Sequence, residues 1–426
     1  MPKQVQHDNM FLYNLTIHAF QIGLKLASLF NPKAKLWIDG RKHWKENLKQ
    51  KVETLQLENV IWFHCASLGE FEQGRPVLEQ IKHDKPYQKI VLTFFSPSGY
   101  EIQKNYPLVD LVMYLPLDTA SNAHYFLDLL KPKISVFVKY EFWLNYLFRL
   151  DEKKIPTFLI STVIKKHQSF FKWYGGNFRK ALATYKTIYT QDTESLILLE
   201  SLGIKTGQLA GDTRFDRVLQ IGSSPKQLLE IEEFSKDSFV IIVGSSWEKD
   251  EELLIESYVS LKAKYANVKL IIAPHEIDHN NIERLKKLIS KHQIDFHLYS
   301  DGESNDIHSV LIINSIGFLS SVYQYGSVAF IGGGFDNGIH NILEPAVFGL
   351  PVLFGPNYKK FNEAFDAIKL KVGFVVENST DLTQRLKVLI EDNSLLSETS
   401  IIAKNYVRQH AGATQKITKT LNLFLK

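Results

Sequence analysis

Short apolar runs separated by longer amphipathic stretches recur along most of this chain. Val60 to Ala66, Lys89 to Phe95, Asp110 to Tyr114, Ile134 to Val138 and Thr157 to Ile160 each have strand length and little polar interruption. Helical patterns such as Glu70 to Ile81 and Ser121 to Leu130 lie between them. A continuous apolar run suits a strand buried on both faces, and its alternation with helices predicts a parallel sheet covered on both sides. Ser201 to Gln208, rich in small residues, precedes a fresh series: Phe239 to Val243, Val268 to Ile272, Ser309 to Ile313, Val328 to Ile331 and Pro351 to Phe354. The pattern predicts an α/β chain with two Rossmann-like, doubly wound domains facing across a cleft. Their expected spans are 46–205 and 206–426, preceded by a segment of different character at 1–45.

In that segment, Phe11 to Phe30 is mostly apolar and about as long as a bilayer is thick. Asn14, His18, Gln21, Lys25 and Ser28 interrupt it at spacings of 4, 3, 4 and 3. They form one stripe of a helix, with Leu15, Ile22, Leu26 and Leu29 turned away, which fits a helix lying in a membrane plane better than one crossing it. Lys33, Lys35, Arg41, Lys42 and Lys45 follow. Basic residues beside an apolar helix favour an anionic cytoplasmic leaflet at about 1 kcal/mol each. A helix packed on its own domain has the same pattern, so both alternatives stand. The interrupted apolar stretch and the lack of a small-x-small site argue against a cleaved signal peptide.

With 426 residues, 45% of them hydrophobic, the chain can bury two cores, and disorder as a class is excluded. A net charge of +4 and a pI near 8.7 argue against a nucleic-acid partner and suit anionic ligands or an anionic membrane surface. The single cysteine, Cys65, excludes an intramolecular disulfide and a zinc cysteine cluster, and its apolar surroundings predict a buried structural role.

Candidate chemistry gathers where predicted strands end. Val60 to Ala66 runs into Ser67-Leu68-Gly69-Glu70, which delivers a carboxylate to the rim where ligands of open α/β sheets collect. Glu70 is the candidate base. Ser67 and Glu70 also have capping-box spacing, and a helix N-terminus would keep the carboxylate ionised, so the two roles are compatible. In the second half, Gly332-Gly333-Gly334 follows a strand and leads to His340-Asn341-Ile342-Leu343-Glu344-Pro345. The glycines predict close backbone approach to a ligand, the next helix a phosphate at its N-terminus, and Glu344 a bond to a ribose diol. A glycine-rich turn with a capped helix is the alternative. Gly244 to Glu248 and Ala273-Pro274-His275-Glu276 end two further strands on the same rim. Arg214, in Gly211 to Asp216, could offset charge on a departing phosphate or pair with Asp216.

Together these stretches resemble the lipid A-specific 3-deoxy-D-manno-octulosonic acid (Kdo) transferases. The similarity rests on Ala66 to Glu70, Phe95-Ser96-Pro97-Ser98-Gly99, Tyr114 to Asp118, Glu141-Phe142-Trp143-Leu144-Asn145, Gly211 to Asp216 and His340 to Pro345. The resemblance implies a GT-B glycosyltransferase with CMP-Kdo in the C-terminal domain and a lipid A precursor in the N-terminal domain. It implies a place at the cytoplasmic face of the inner membrane. Glu70 matches the family's proton acceptor, Glu141 and Arg214 match positions that stabilise the transition state, and Asn341 to Glu344 match a CMP-binding segment. Pro274-His275 and Ile316-Gly317-Phe318 fall where the family binds nucleotide, without the usual Pro-Arg and Gly-Glu pairs. Ser161-Thr162-Val163 and Lys139-Tyr140-Glu141 replace the family's Asn-Ala-Arg and Glu-Thr-Glu.

The expected reaction is direct displacement with inversion, without a cofactor; no Asp-x-Asp motif of metal-dependent transferases is evident. Two alternatives come from other classes: a GT-B nucleotide-sugar epimerase, and a membrane-associated nucleotide-sugar-binding protein without catalysis.

Overall fold

The computed structural model describes residues 3–302 and 308–425, in two compact units: 1–216 with 411–426, and 217–410. The first is built on seven strands: β1 (Ile61–Cys65), β2 (Ile90–Phe94), β3 (Leu111–Tyr114), β4 (Ile134–Val138), β5 (Thr157–Thr162), β6 (Thr187–Thr190) and β7 (Gly207–Leu209). All pair in parallel, in the order β3-β2-β1-β4-β5-β6-β7. Every residue of β1, β2 and β4 is buried, as their unbroken apolar runs require. Trp62, Phe126, Phe137 and Leu147 fill one face of the sheet, and Phe63, Phe71, Leu78 and Phe94 the other.

The second unit repeats the plan with β8 (Phe239–Ser246), β9 (Val268–Pro274), β10 (Phe296–Leu298), β11 (Val310–Ile312), β12 (Val328–Ile331), β13 (Val352–Phe354) and β14 (Gly373–Val375). The strands are parallel in the order β10-β11-β9-β8-β12-β13-β14. Winding reverses between β1 and β4 in one unit and between β8 and β12 in the other, which makes each unit doubly wound as expected.

The division between units differs from the expected one at 205/206. Ser201 to Gln208 still belongs to the first unit, because it runs into β7, which pairs with β6. The chain leaves the first unit inside the helix Thr213–Ser223 and comes back with the helix Ala413–Leu423. Ala413, Ile417 and Leu421 share a core with Phe71, Val77 and Ile81. Asp216 secures the return by accepting the Gly412 N–H at 2.6 Å and the Thr414 N–H at 2.9 Å.

The helix Lys3–Ala27 lies on the first unit by a mixed face that includes Tyr13, Ile17 and Leu24, while His18 and Lys25 of the polar stripe stay exposed. Ile17 is buried and Tyr13, Asn14 and Gln21 are half-buried, whereas Phe11, Leu12, Leu15, Ile22, Leu26 and Leu29 are exposed. Asn14 Oδ1 accepts from the Asn145 amide at 3.0 Å. The domain thus does not cover the apolar stripe. Among the described residues, no helix is long and apolar enough to cross a membrane. Arg41 departs from its expected place in the surface basic cluster. Its guanidinium donates to the carbonyls of Leu115 (2.8 Å), Trp37 (3.0 Å) and Phe95 (2.8 Å) and lies over the Trp37 ring, and burial holds its pKa down to about 9.

Candidate active site

Where a doubly wound sheet reverses, helices on opposite faces diverge and leave a crevice at the strand carboxyl ends. In the first unit the loops after β1 and β4 rim that place, and they carry Glu70 and Glu141. Ser67 caps the helix Leu68–Asp84, its Oγ accepting the Gly69 N–H at 3.2 Å while its hydroxyl donates to Glu70 Oε2. The capping box is therefore incomplete: Glu70 engages the serine hydroxyl instead of the backbone N–H. Oε1 has no hydrogen-bond partner among the described residues, and the side chain is half-buried.

Glu141 is only 4% exposed. Its Oε2 lies 3.0 Å from His64 Nε2 and also accepts from Trp143 Nε1, and its carbonyl accepts the Tyr185 hydroxyl at 2.6 Å. His64 Nδ1 is 3.1 Å from the Thr93 carbonyl, which can only accept, so Nδ1 carries hydrogen in the tautomer that the network assigns. Trp143 Nε1 also lies 3.0 Å from His64 Nε2, so one indole N–H faces both the imidazole nitrogen and the carboxylate. Glu141 is thus one half of a buried pair. Burial pushes the Cys65 thiol well up, with Glu70 and Glu141 adding to it, which leaves an inert core cysteine.

Arg214 lies in the first turn of the helix Thr213–Ser223, which is tied to the helix of Glu70 where Thr213 Oγ1 donates to the Gln73 carbonyl at 2.5 Å. Its Nε and Nη2 reach Asp212 Oδ2 at 2.8 and 2.7 Å. The ion-pair alternative holds with a different partner, since Asp216 is engaged by Gly412 and Thr414.

In the second unit three rings converge at the β8/β12 reversal. Trp247 and His275 stack with centroids 4.6 Å apart, and His275 and His340 at 4.5 Å. Pro274 closes β9, and the His275 N–H donates to the Ser246 carbonyl at 2.9 Å. Trp247 Nε1 donates to His340 Nε2 at 3.3 Å, which needs an unprotonated nitrogen. Burial, with His275 beside it, holds His340 down to about 4. This stack was not legible from motif spacing. Its signal was the aromatic residue type at three strand ends.

The glycines bring neighbouring loops into close contact. A Cβ on Gly332 would strike the Ser245 carbonyl oxygen, and one on Gly334 the Gly355 amide, so the triplet lets three loops pack backbone against backbone. Gly333, at φ +87°, turns its N–H to Asp250 Oδ2 at 2.8 Å. The following helix begins at Leu343, where Asn341 Oδ1 accepts the Leu343 N–H at 3.0 Å and Asn341 Nδ2 donates to Glu344 Oε1 at 3.1 Å. Ile342 and Leu343 have buried side chains, which leaves only their main chain for a ligand. Pro274, His275, Asn341 and Glu344 thus gather at the reversal. Ile316, 86% exposed, Gly317 and Phe318 stand after β11, two strands from β8, with Phe318 against Tyr299.

Two family models cover most of the chain. The one described as 3-deoxy-D-manno-octulosonic-acid transferase (kdotransferase) matches residues 42–217, and the one described as glycosyl transferases group 1 matches 225–407. A 3-deoxy-D-manno-octulosonic acid transferase of Aquifex aeolicus is 29% identical over 350 residues, 81% of this chain and 88% of its own. Its counterpart from Haemophilus influenzae is 26% identical over 381 residues, 86% and 87% of the two chains. The first half of the chain thus carries a Kdo transferase family domain and the second a group 1 glycosyltransferase domain. The chain is a glycosyltransferase by both family models, and its two doubly wound units carry the expected GT-B architecture. Among solved structures, the UDP-GlcNAc 2-epimerase of Neisseria meningitidis has a TM-score of 0.60 at 17% identity, covering 85% of this chain and 99% of its own. A glycosyltransferase from Rickettsia africae has a TM-score of 0.55 at 13% identity, covering 86% and 98%. These likenesses speak for fold alone.

Within the Kdo transferase motif Ala66 to Glu70, the residue that spacing overlooked is His64, two positions upstream. A histidine inside an otherwise apolar strand was the available signal, because a buried imidazole requires partners for both nitrogens.

Proposed function

We propose that this protein transfers Kdo from CMP-Kdo to a lipid A precursor, with inversion, at the cytoplasmic face of the inner membrane. The observation that carries the reading is Glu70, with Oε1 available at the first unit's winding reversal in a chain that carries a Kdo transferase family domain. In the proposed step, Oε1 accepts the proton of an acceptor hydroxyl as that oxygen forms a bond to the anomeric carbon of Kdo. The bond from that carbon to the CMP phosphate oxygen breaks, and CMP leaves with the electron pair. Arg214 stabilises charge on the phosphate, and Glu141, held by His64 and Trp143, supports the charge balance around Glu70. The donor is held in the second unit by Pro274, His275 and the Asn341–Glu344 segment, with Ile316 to Phe318 as a more distant contribution.

The outward apolar stripe of the helix Lys3–Ala27, with exposed Lys33, Lys35 and Lys42 beside it, supports in-plane contact with an anionic inner membrane surface. The mechanism requires no cofactor, metal or nucleic acid.

Incubation with CMP-Kdo and a lipid A precursor, followed by mass spectrometry, tests the reading and counts the sugars added. Glu70→Gln is expected to lower turnover by at least about a thousandfold while CMP-Kdo binding persists. Wild-type turnover in a folded variant would leave Glu70 with capping alone. A product from UDP-sugars in place of CMP-Kdo would favour the epimerase alternative, and Kdo transfer excludes a non-catalytic binding protein.

A further inference from the structure

Between Glu152 and Asp192 the chain contains no acidic residue, yet it carries Lys153, Lys154, Lys165, Lys166, Lys172, Arg179, Lys180 and Lys186. The middle of this run, after β5, is a loop that ends in the helix Gly176–Thr184. The loop is braced. Phe170 is buried against Phe142, with ring centroids 5.5 Å apart, and Arg179 Nη1 donates to the carbonyls of Phe170 at 2.7 Å and Lys172 at 3.2 Å. Gly175 admits no Cβ without striking the Ser169 carbonyl oxygen. This scaffolding holds Trp173 out at 93% exposure, beside exposed Tyr174, Lys165, Lys166 and Lys172. Phe178, three residues beyond Gly175, meets Tyr13 of the helix Lys3–Ala27 edge-on at 6.3 Å, so the loop adjoins the outward apolar helix.

We propose that the segment 164–174 is a second contact with an anionic bilayer, Trp173 entering the interfacial region while Lys165, Lys166 and Lys172 meet headgroup phosphates. Tryptophan and tyrosine settle at the membrane interface because each joins an apolar ring to a polar tip, and lysine on a long stem reaches outward to phosphate. An anionic surface is the occupant that the charge selects, since a braced loop with eight cationic neighbours in sequence and no acidic one is complementary to it. The inference rests on the membrane reading of the helix given above, and it makes that attachment two-point, which would fix the orientation of the first unit over the bilayer.

The test uses the full chain and sedimentation with vesicles of phosphatidylcholine, with or without phosphatidylglycerol. Trp173→Ser is expected to weaken partition to the anionic vesicles at least fivefold, roughly the weight of one interfacial anchor, with unchanged circular dichroism. Lys165→Glu with Lys166→Glu is expected to weaken it more than about tenfold at low salt, and the loss should shrink as salt rises. Leu15→Ser in the helix serves as the reference. Weakened binding by Leu15→Ser but wild-type binding by the two loop variants overturns the loop contact alone. Failure of the wild-type protein to bind either vesicle overturns the membrane reading and this inference with it.

Discussion

Asp118 shows how one buried carboxyl can join a sequence-distant helix to the site. It is fully buried and accepts the Tyr13 hydroxyl at 2.5 Å and the backbone N–H groups of Asn145 at 3.2 Å and Tyr146 at 3.1 Å. Burial outweighs these donors and pushes its pKa up to about 6. A carboxyl raised in the folded state contributes stability that is complete below its unfolded value and lost as pH rises through its folded value. The wild-type advantage over Asp118→Asn should therefore shrink by about 2–3 kcal/mol between pH 4 and pH 7, read by urea unfolding at each pH. A constant difference would remove Asp118 from the acid side of the stability curve. At this scale the sequence was legible where a residue's neighbours in the chain are its neighbours in space. Ser67 and Glu70 do meet, but the capping geometry changed because the serine hydroxyl found the carboxylate first. Arg41 was misplaced at the surface because its partners, the carbonyls of Phe95 and Leu115, lie 54 and 74 positions away.

Elements were legible in proportion to their burial. Ten of the strands stand where unbroken apolar runs predict them, and those without such a run are β6, β7, β10 and β14. Three of these four are sheet edges, where a short strand with one open side needs no continuous apolar run. The glycine triplet was legible as a special backbone, while the loops it packs against were not, because spacing does not show which backbone a bare glycine meets. Two substitutions separate close packing from backbone strain. Gly332→Ala is expected to cost the second unit about 2–4 kcal/mol, since its Cβ meets main chain that cannot move aside. Gly317→Ala, with φ +100° and open space around it, should cost about 1 kcal/mol from backbone strain alone. Hydrogen exchange in β8 and β12 measures both, and equal losses would contradict the packing role of Gly332.

For the molecule as a whole, two repeats of one winding plan could be read from hydrophobic periodicity, because each parallel sheet demands its own buried runs. The unit boundary could not, since it depends on where the apolar face of the last helix finds a partner. Asp216 and the Ala413–Leu423 helix enclose residues 217–410 between two crossings that both end in the first unit. That arrangement has a mechanical consequence. Tension applied between Met10 and Thr420 would be borne entirely within the first unit, and the second would stay unloaded until the Ala413–Leu423 helix has peeled from Phe71, Val77 and Ile81. Single-molecule stretching from those two positions should show release of the terminal helix before any rupture of the second unit, and the reverse order would rule out its role as a latch. The enclosed unit is in this sense a loop insertion whose force-bearing clasp is one helix and one aspartate.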